Sequence, residues 1–188
     1  QQQNLPIYIE RFGTTVDEVF VTAPELREKL GDRFAKLPPG TVESKAGLGF
    51  EEFIAQVGAL LMGRRTYQVL LDHDAWYYGD RPVLVATHHA LPPAPKDGKA
   101  WAVEGPIEKL VAEAKAAAGG KDVYLDGGDL VRQGLDAGLV DELCLTFLPL
   151  ILGRGMRLWE GLQKRTDLKF EAPTPHAAGM VQVTARRR

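Results

Sequence analysis

The chain has one cysteine, Cys144, which excludes an internal disulfide and any cysteine cluster for zinc. No charge sign dominates either. Lys and Arg number 23 against 25 Asp and Glu, a formal net charge of −2, so no global field draws in nucleic acid. The closing Arg186, Arg187 and Arg188 read as a solvated tail. No apolar run is long enough to span a bilayer and no signal peptide is legible, so a membrane partner is not expected and a cytoplasmic location is the default. The histidines have no third ligand at a telling spacing, so no metal is expected. The Gly-x-Gly-x-x-Gly fingerprint of ordinary dinucleotide-binding loops is also missing.

What is present suits a single α/β domain over residues 1–188. Hydrophobic residues make up 45% and charged residues 26%, enough to bury a core without staples. Cys144 lies among Leu143, Leu145 and Phe147, which predicts a small buried hydrophobe rather than a nucleophile.

Alternation suggests strands at residues 5–12 and 16–22, and Pro24 opens a helix reaching about Lys36. Residues 40–49, with three glycines, read as a loop. Phe50, Phe53, Ile54 and Val57 fall at helical spacing. The strand 59–62 follows, then a helix bearing Tyr67, Leu70 and Leu71. Residues 72–81 form a polar and aromatic loop with Trp76, Tyr77 and Tyr78. A valine-rich run at 82–87, a Pro- and Lys-rich loop and a short strand at 101–104 come next. A helix from Pro106 stops at Gly119-Gly120, the strand 123–125 runs into another helix, and Gly138 ends that one. A long strand at 140–151 precedes two closing strands, 168–172 and 180–184, joined by a turn with Pro173 and Pro175. Strands and helices alternate in the middle and strands follow one another at the end. That order predicts a mostly parallel central sheet flanked by helices, with an antiparallel C-terminal hairpin.

Three strand ends share one character. Met62 leads into Gly63-Arg64-Arg65-Thr66, Ala86 into Thr87-His88-His89, and Leu125 into Asp126-Gly127-Gly128-Asp129. At a strand-to-helix junction, unpaired N–H groups and the positive end of the helix dipole suit a phosphate. Arg64 and Arg65 add guanidinium forks for it. In an open α/β sheet ligands bind beyond the carboxyl ends of the strands, so three such ends side by side would cradle a dinucleotide.

An apolar strand ending in Met-Gly-Arg-Arg-Thr-Tyr (62–67), with a second ending in Gly127-Gly128 before a helix, resembles the dihydrofolate reductase-like superfamily. The run Gly138-Leu139-Val140-Asp141-Glu142-Leu143, then Pro149-x-x-Leu152-Gly153-x-Gly155, resembles more narrowly the reductase domain of bacterial riboflavin biosynthesis and its stand-alone relatives. The resemblance spans roughly residues 48 to 185, and residues 1–47 are atypical.

This resemblance implies an NADPH-dependent reductase acting on a small heterocycle or a carbonyl or imine, akin to a pterin or a riboflavin precursor. Gly63, Arg64 and Thr66 would hold the adenosine phosphates, with Arg65 nearby. Thr87 and His88 match the position beside the 2′-phosphate, where relatives carry a small polar residue followed by arginine. The pair His88-His89 departs from that pattern, which bears on strict NADPH preference; its plainer reading is a surface pair. Leu125, Gly127 and Gly128 would lie against the pyrophosphate and nicotinamide, and in the wider superfamily the Gly-Gly peptide is cis. Asp129 and Leu130 would open the next helix, with Asp129 read as its cap.

Relatives begin with a strand ending in Ser-Leu-Asp-Gly. The nearest match here is Thr15-Val16-Asp17-Glu18, which makes Asp17 the candidate for substrate binding or proton supply, against an exposed loop carboxylate. Leu148, Pro149, Leu152 and Gly153 would floor the substrate pocket, with Trp76 or Tyr78 stacking on a flat ring or simply packing. Relatives commonly form dimers, and residues 140–151 with the closing strands suit a homodimer contact. The alternative is a catalytically silent protein of the same fold that binds a nucleotide or a pterin.

Overall fold

Apolar side chains in unbroken runs need cover on both faces, and the centre of this protein is built around one such run. The computed structural model describes residues 50–74, 76–147, 158–175 and 181–188. Outside them lie the elements expected before residue 50, the strand end after Phe147, and Asp17, Leu148, Pro149, Leu152 and Gly153.

Helix α1 (Phe50–Gln56) leads directly into strand β1 (Val57–Gly63). Val57 fits the helical spacing but belongs to the strand, where it pairs with Asp122. A β-branched residue is stiff at χ1 and favours the pleated surface. Helix α2 (Arg64–Asp72), strand β2 (Val83–Ala86) and strand β3 (Ala100–Val103) follow, then helix α3 (Ile107–Ala117), strand β4 (Asp122–Asp126) and helix α4 (Gly128–Asp136). The four strands form one parallel sheet in the order β3-β2-β1-β4. Within β1, Ala59, Leu60, Leu61 and Met62 are each 0% exposed, so both of its faces are covered.

The chain steps outward from β1 to β2 to β3, then returns past β1 to β4. Right-handed crossovers made in opposite directions put α2 and α3 on opposite faces of the sheet. Accordingly α2 packs on β1 and β2, while α3 packs on β1, β4 and α4. The reversal also creates a switch point at the carboxyl end of β1, between β2 and β4.

Helix α4 ends at Gly138, whose φ of +68° an L side chain rarely adopts. Leu139 N–H donates to the Gly134 carbonyl at 2.8 Å and Gly138 N–H to Leu135 at 3.0 Å, the paired bonds of a Schellman end.

Strands β5 (Glu142–Phe147), β6 (Leu168–Phe170), β7 (Thr174–Pro175) and β8 (Val181–Arg187) form an antiparallel sheet. It is larger than the expected hairpin, because β8 pairs with β5, β6 and β7. Pro175 sits in the short β7 rather than in a turn, a position open to proline on an edge strand. Leu143, Leu145 and Ala185 join this sheet to the main core. Cys144 is only half-buried, correcting the buried-hydrophobe expectation. Period-two alternation turns it away from Leu143 and Leu145, onto the face of Glu142. Among the described residues no helix is long and apolar enough to cross a membrane.

Candidate functional site

Strand register brings the predicted residues to one rim. Met62 stands opposite Asp126, Gly63 opposite Ala86, and Ala86 opposite Val103. Gly127, Gly63, Ala86 and Val103 therefore make one row across the sheet, and Gly128, Arg64, Thr87 and Glu104 make the next. At roughly 4.8 Å per strand spacing, the row is about 14 Å wide.

The middle of the rim is close-packed backbone. Gly127 has φ +100°, and a Cβ there would stand 3.1 Å from Thr66 Oγ1 and 3.7 Å from the Gly63 nitrogen. Glycine thus lets β4 and the first turn of α2 meet. The Gly127–Gly128 peptide is trans, unlike the cis bond that the resemblance implied. The positive φ of Gly127 makes the turn instead. Both α2 and α4 begin at this spot, with Gly63 and Gly127 as N-caps, and neither cap makes a side-chain hydrogen bond. Two helix N-termini therefore present first-turn N–H groups and positive dipole ends to the same place.

Asp129 does not cap α4. It lies inside the first turn, 78% exposed, and pairs with Arg132 one turn on. Leu125 and Leu130 have their side chains in the core, so they offer the rim only backbone. Thr66 is buried beside Gly127, whereas Arg65 is exposed.

Arg64 is the informative cation. Its Nη1 is buried and has no hydrogen-bond partner among the described residues. An unmet buried donor costs about 1–3 kcal/mol, and more when charged, so an anion at this rim would satisfy a real deficit. A phosphate fits that deficit and the two uncapped helix starts together. Next to Arg64, the Tyr67 hydroxyl donates to the Pro92 carbonyl at 2.9 Å. Burial raises the Tyr67 pKa and the Arg64 charge only partly opposes it, so the phenol stays protonated as a tether. That bond ties α2 to the segment after β2, which carries Thr87 and His88.

Thr87 is buried, donates its N–H to the Val103 carbonyl at 3.1 Å, and accepts the His89 N–H on Oγ1 at 3.1 Å. His88 is a surface residue, with its Nδ1 3.3 Å from Glu104 Oε2. Glu104 makes a fourth strand end beside the three that share the glycine, arginine and histidine character. Its signal was a short strand ending in a carboxylate, followed by Gly105-Pro106. Asp126, at the end of β4 beside Met62 and Gly127, is 0% exposed, and its residue type alone assigns it no role.

Trp76 is not at this rim. Its ring covers Gly98, where a Cβ would come within 2.2 Å of it, and its Nε1 donates to the Gly79 carbonyl at 2.8 Å. It meets Tyr78 edge-on at 5.4 Å. Arg81 from the same loop donates to the Val57 carbonyl at 2.9 Å, at the start of β1. Trp76 and Tyr78 therefore pack at the amino end of the sheet, opposite the row of glycines. Among the described residues no group of three or more His, Cys, Asp or Glu could hold a metal ion.

Comparison with known proteins gives the family and the fold. The RibD C-terminal domain profile matches residues 38–181. The uncharacterised Bacillus subtilis protein YyaP is 26% identical over 151 residues, covering 72% of this chain and 77% of its own length. A solved structure from Shewanella sp. PV-4, provisionally assigned to riboflavin biosynthesis, is 28% identical, with a TM-score of 0.67 over 78% of this chain and 82% of that one. Dihydrofolate reductase from Enterococcus faecalis, solved with NADP(H), is 16% identical, with a TM-score of 0.51 over 73% of this chain and 80% of that one, a likeness of fold. With three quarters of its length under that profile, the chain belongs to the RibD C-terminal domain family, a reductase-like family with the dihydrofolate reductase-like fold.

Proposed function

We propose that this protein is an NADPH-dependent reductase that delivers a hydride to a small heterocycle, or to a carbonyl or imine, of the pterin or riboflavin-precursor kind. The observation that carries this is Arg64 Nη1, buried and without a hydrogen-bond partner among the described residues, on the first residue of α2, whose start meets that of α4. Family membership and the dinucleotide-bound Enterococcus relative support a nicotinamide cofactor in that position. The Shewanella relative supports the substrate class.

In this reading Gly63, Arg64 and Thr66 hold phosphates at the start of α2, and Gly127 and Gly128 let the cofactor approach the backbone closely. The cofactor supplies the hydride, while the chain supplies position and a dry, oriented site. Asp17 is the proposed proton donor or substrate ligand. Leu148, Pro149, Leu152 and Gly153 are the proposed substrate floor. Trp76 drops out of that set on its position.

Arg64→Ala tests the reading. The KM for NADPH should rise at least about tenfold, the factor that 1.4 kcal/mol commands. If Arg64 serves the 2′-phosphate, NADH use should stay nearly unchanged; equal loss with both would move it to the pyrophosphate. No change with either would remove Arg64, and the central observation with it.

A further inference from the structure

The outer end of the rim carries a charge of the wrong sign for a phosphate. Glu104 is the first residue past β3, in the same row as Thr87 and Arg64. Its carboxylate faces the His88 imidazole, Nδ1 to Oε2, at 3.3 Å. Two strand spacings, roughly 10 Å, separate this residue from the end of β1. A ligand whose phosphates rest on Gly63 and Arg64 would bring its adenosine ribose toward this pair.

We propose that Glu104 weakens the preference of the site for a 2′-phosphate, so that NADH is accepted alongside NADPH. This rests on the dinucleotide reading above and goes beyond it by assigning a specificity residue. His88 Nδ1 and Glu104 Oε2 stand at ion-pair distance, 3.3 Å, which keeps the carboxylate beside the ring at this end of the rim. The carboxylate offers acceptors, which suit a ribose 2′-hydroxyl, as acidic residues do in other dinucleotide sites. A 2′-phosphate, carrying close to two negative charges at neutral pH, would meet the Glu104 carboxylate with like charge.

The other charged groups near the pair are few. Lys109 Nζ donates to the Glu104 backbone carbonyl at 2.9 Å and reaches Glu113 at 3.4 Å, so it sits at the base of Glu104, occupied on both sides. His89 is exposed, and its N–H is spent on Thr87. Arg64 and Arg65 lie inward, on α2. Glu104 and His88 have side chains 56% and 83% exposed, so replacing either should leave the fold intact.

The test is direct binding of NADPH and NADH to the wild-type protein, Glu104→Gln and Glu104→Lys, followed by nicotinamide fluorescence at low and high salt. The wild-type Kd values should lie within about tenfold of each other. Glu104→Gln should tighten NADPH about fivefold relative to NADH, the scale of one partly exposed charge contact, and Glu104→Lys should go further. The shift should shrink at high salt, as screening requires. If both nucleotides bind and their ratio is the same in all three proteins, the assignment of Glu104 is wrong while the cofactor reading stands. If neither nucleotide binds the wild type, both fall.

Discussion

At the scale of single residues, the site turns on glycines that permit contact and on one arginine whose Nη1 has no hydrogen-bond partner among the described residues. Gly127 combines φ +100° with a neighbour 3.1 Å from its missing Cβ, so Gly127→Ala meets backbone strain together with a tight contact to Thr66 Oγ1. The expected loss is about 1–3 kcal/mol of stability, measured by urea denaturation, together with weakened nucleotide binding. A variant as stable as the wild type would mean that β4 and α2 do not touch at this point. The residues of this cluster were legible because a glycine and two arginines interrupt an apolar run, a local signal. Trp76 misled because its partner, Gly98, lies 22 positions away and nothing local marks it. Asp129 misled in another way: Gly127 takes the cap position, which shifts the carboxylate into the helix and onto Arg132. Glu104 was missed because a glutamate before Gly-Pro reads as an ordinary turn.

At the scale of elements, β1 and the β5–β8 pair behave differently. Strand β1 was readable because burial on both faces leaves an unbroken apolar run. Truncating Leu60, 0% exposed at its centre, to alanine should cost about 2–5 kcal/mol. In β5 the pattern weakens, since Glu142 and Cys144 share a half-buried face with Arg186 and Thr184. Burial raises the Glu142 pKa; Arg186 opposes this, and the charges of Glu171 and Asp122 add to it. A carboxyl whose folded pKa is raised stabilises the fold most below its unfolded value, and that contribution is lost as pH climbs through the folded value. Wild-type stability should therefore fall relative to Glu142→Gln as pH rises from about 4.5. Near neutrality the variant should be at least as stable, because Arg186 keeps its 2.8 Å bond to Glu171. Equilibrium denaturation at a series of pH values reads this, and a wild type that gains on the variant with rising pH would mean that the Glu142–Arg186 ion pair outweighs burial.

At the scale of the molecule, the strand order places one crevice where three connections meet, and the family likeness extends over most of the chain. The parallel half of this plan follows from alternating strands and helices. The antiparallel half was only partly legible, because short strands such as β7 leave almost no periodic signal. Phe147 and Phe170 are 54% and 59% exposed, and register sets both on the face of the antiparallel sheet that carries Leu143, Leu145 and Ala185. That face is packed on the main core through Leu143, Leu145 and Ala185, so the two rings lie at its margin; sedimentation at micromolar concentration should show the proposed homodimer, and a monomer would count against it.

Titration of the purified protein with NADPH, read by quenching and energy transfer at the nicotinamide, bears most directly on the reductase reading. Saturable binding that weakens at least about tenfold in Arg64→Ala is the predicted result. Fluorescence that stays linear up to millimolar nucleotide, in wild type and variant alike, would contradict it.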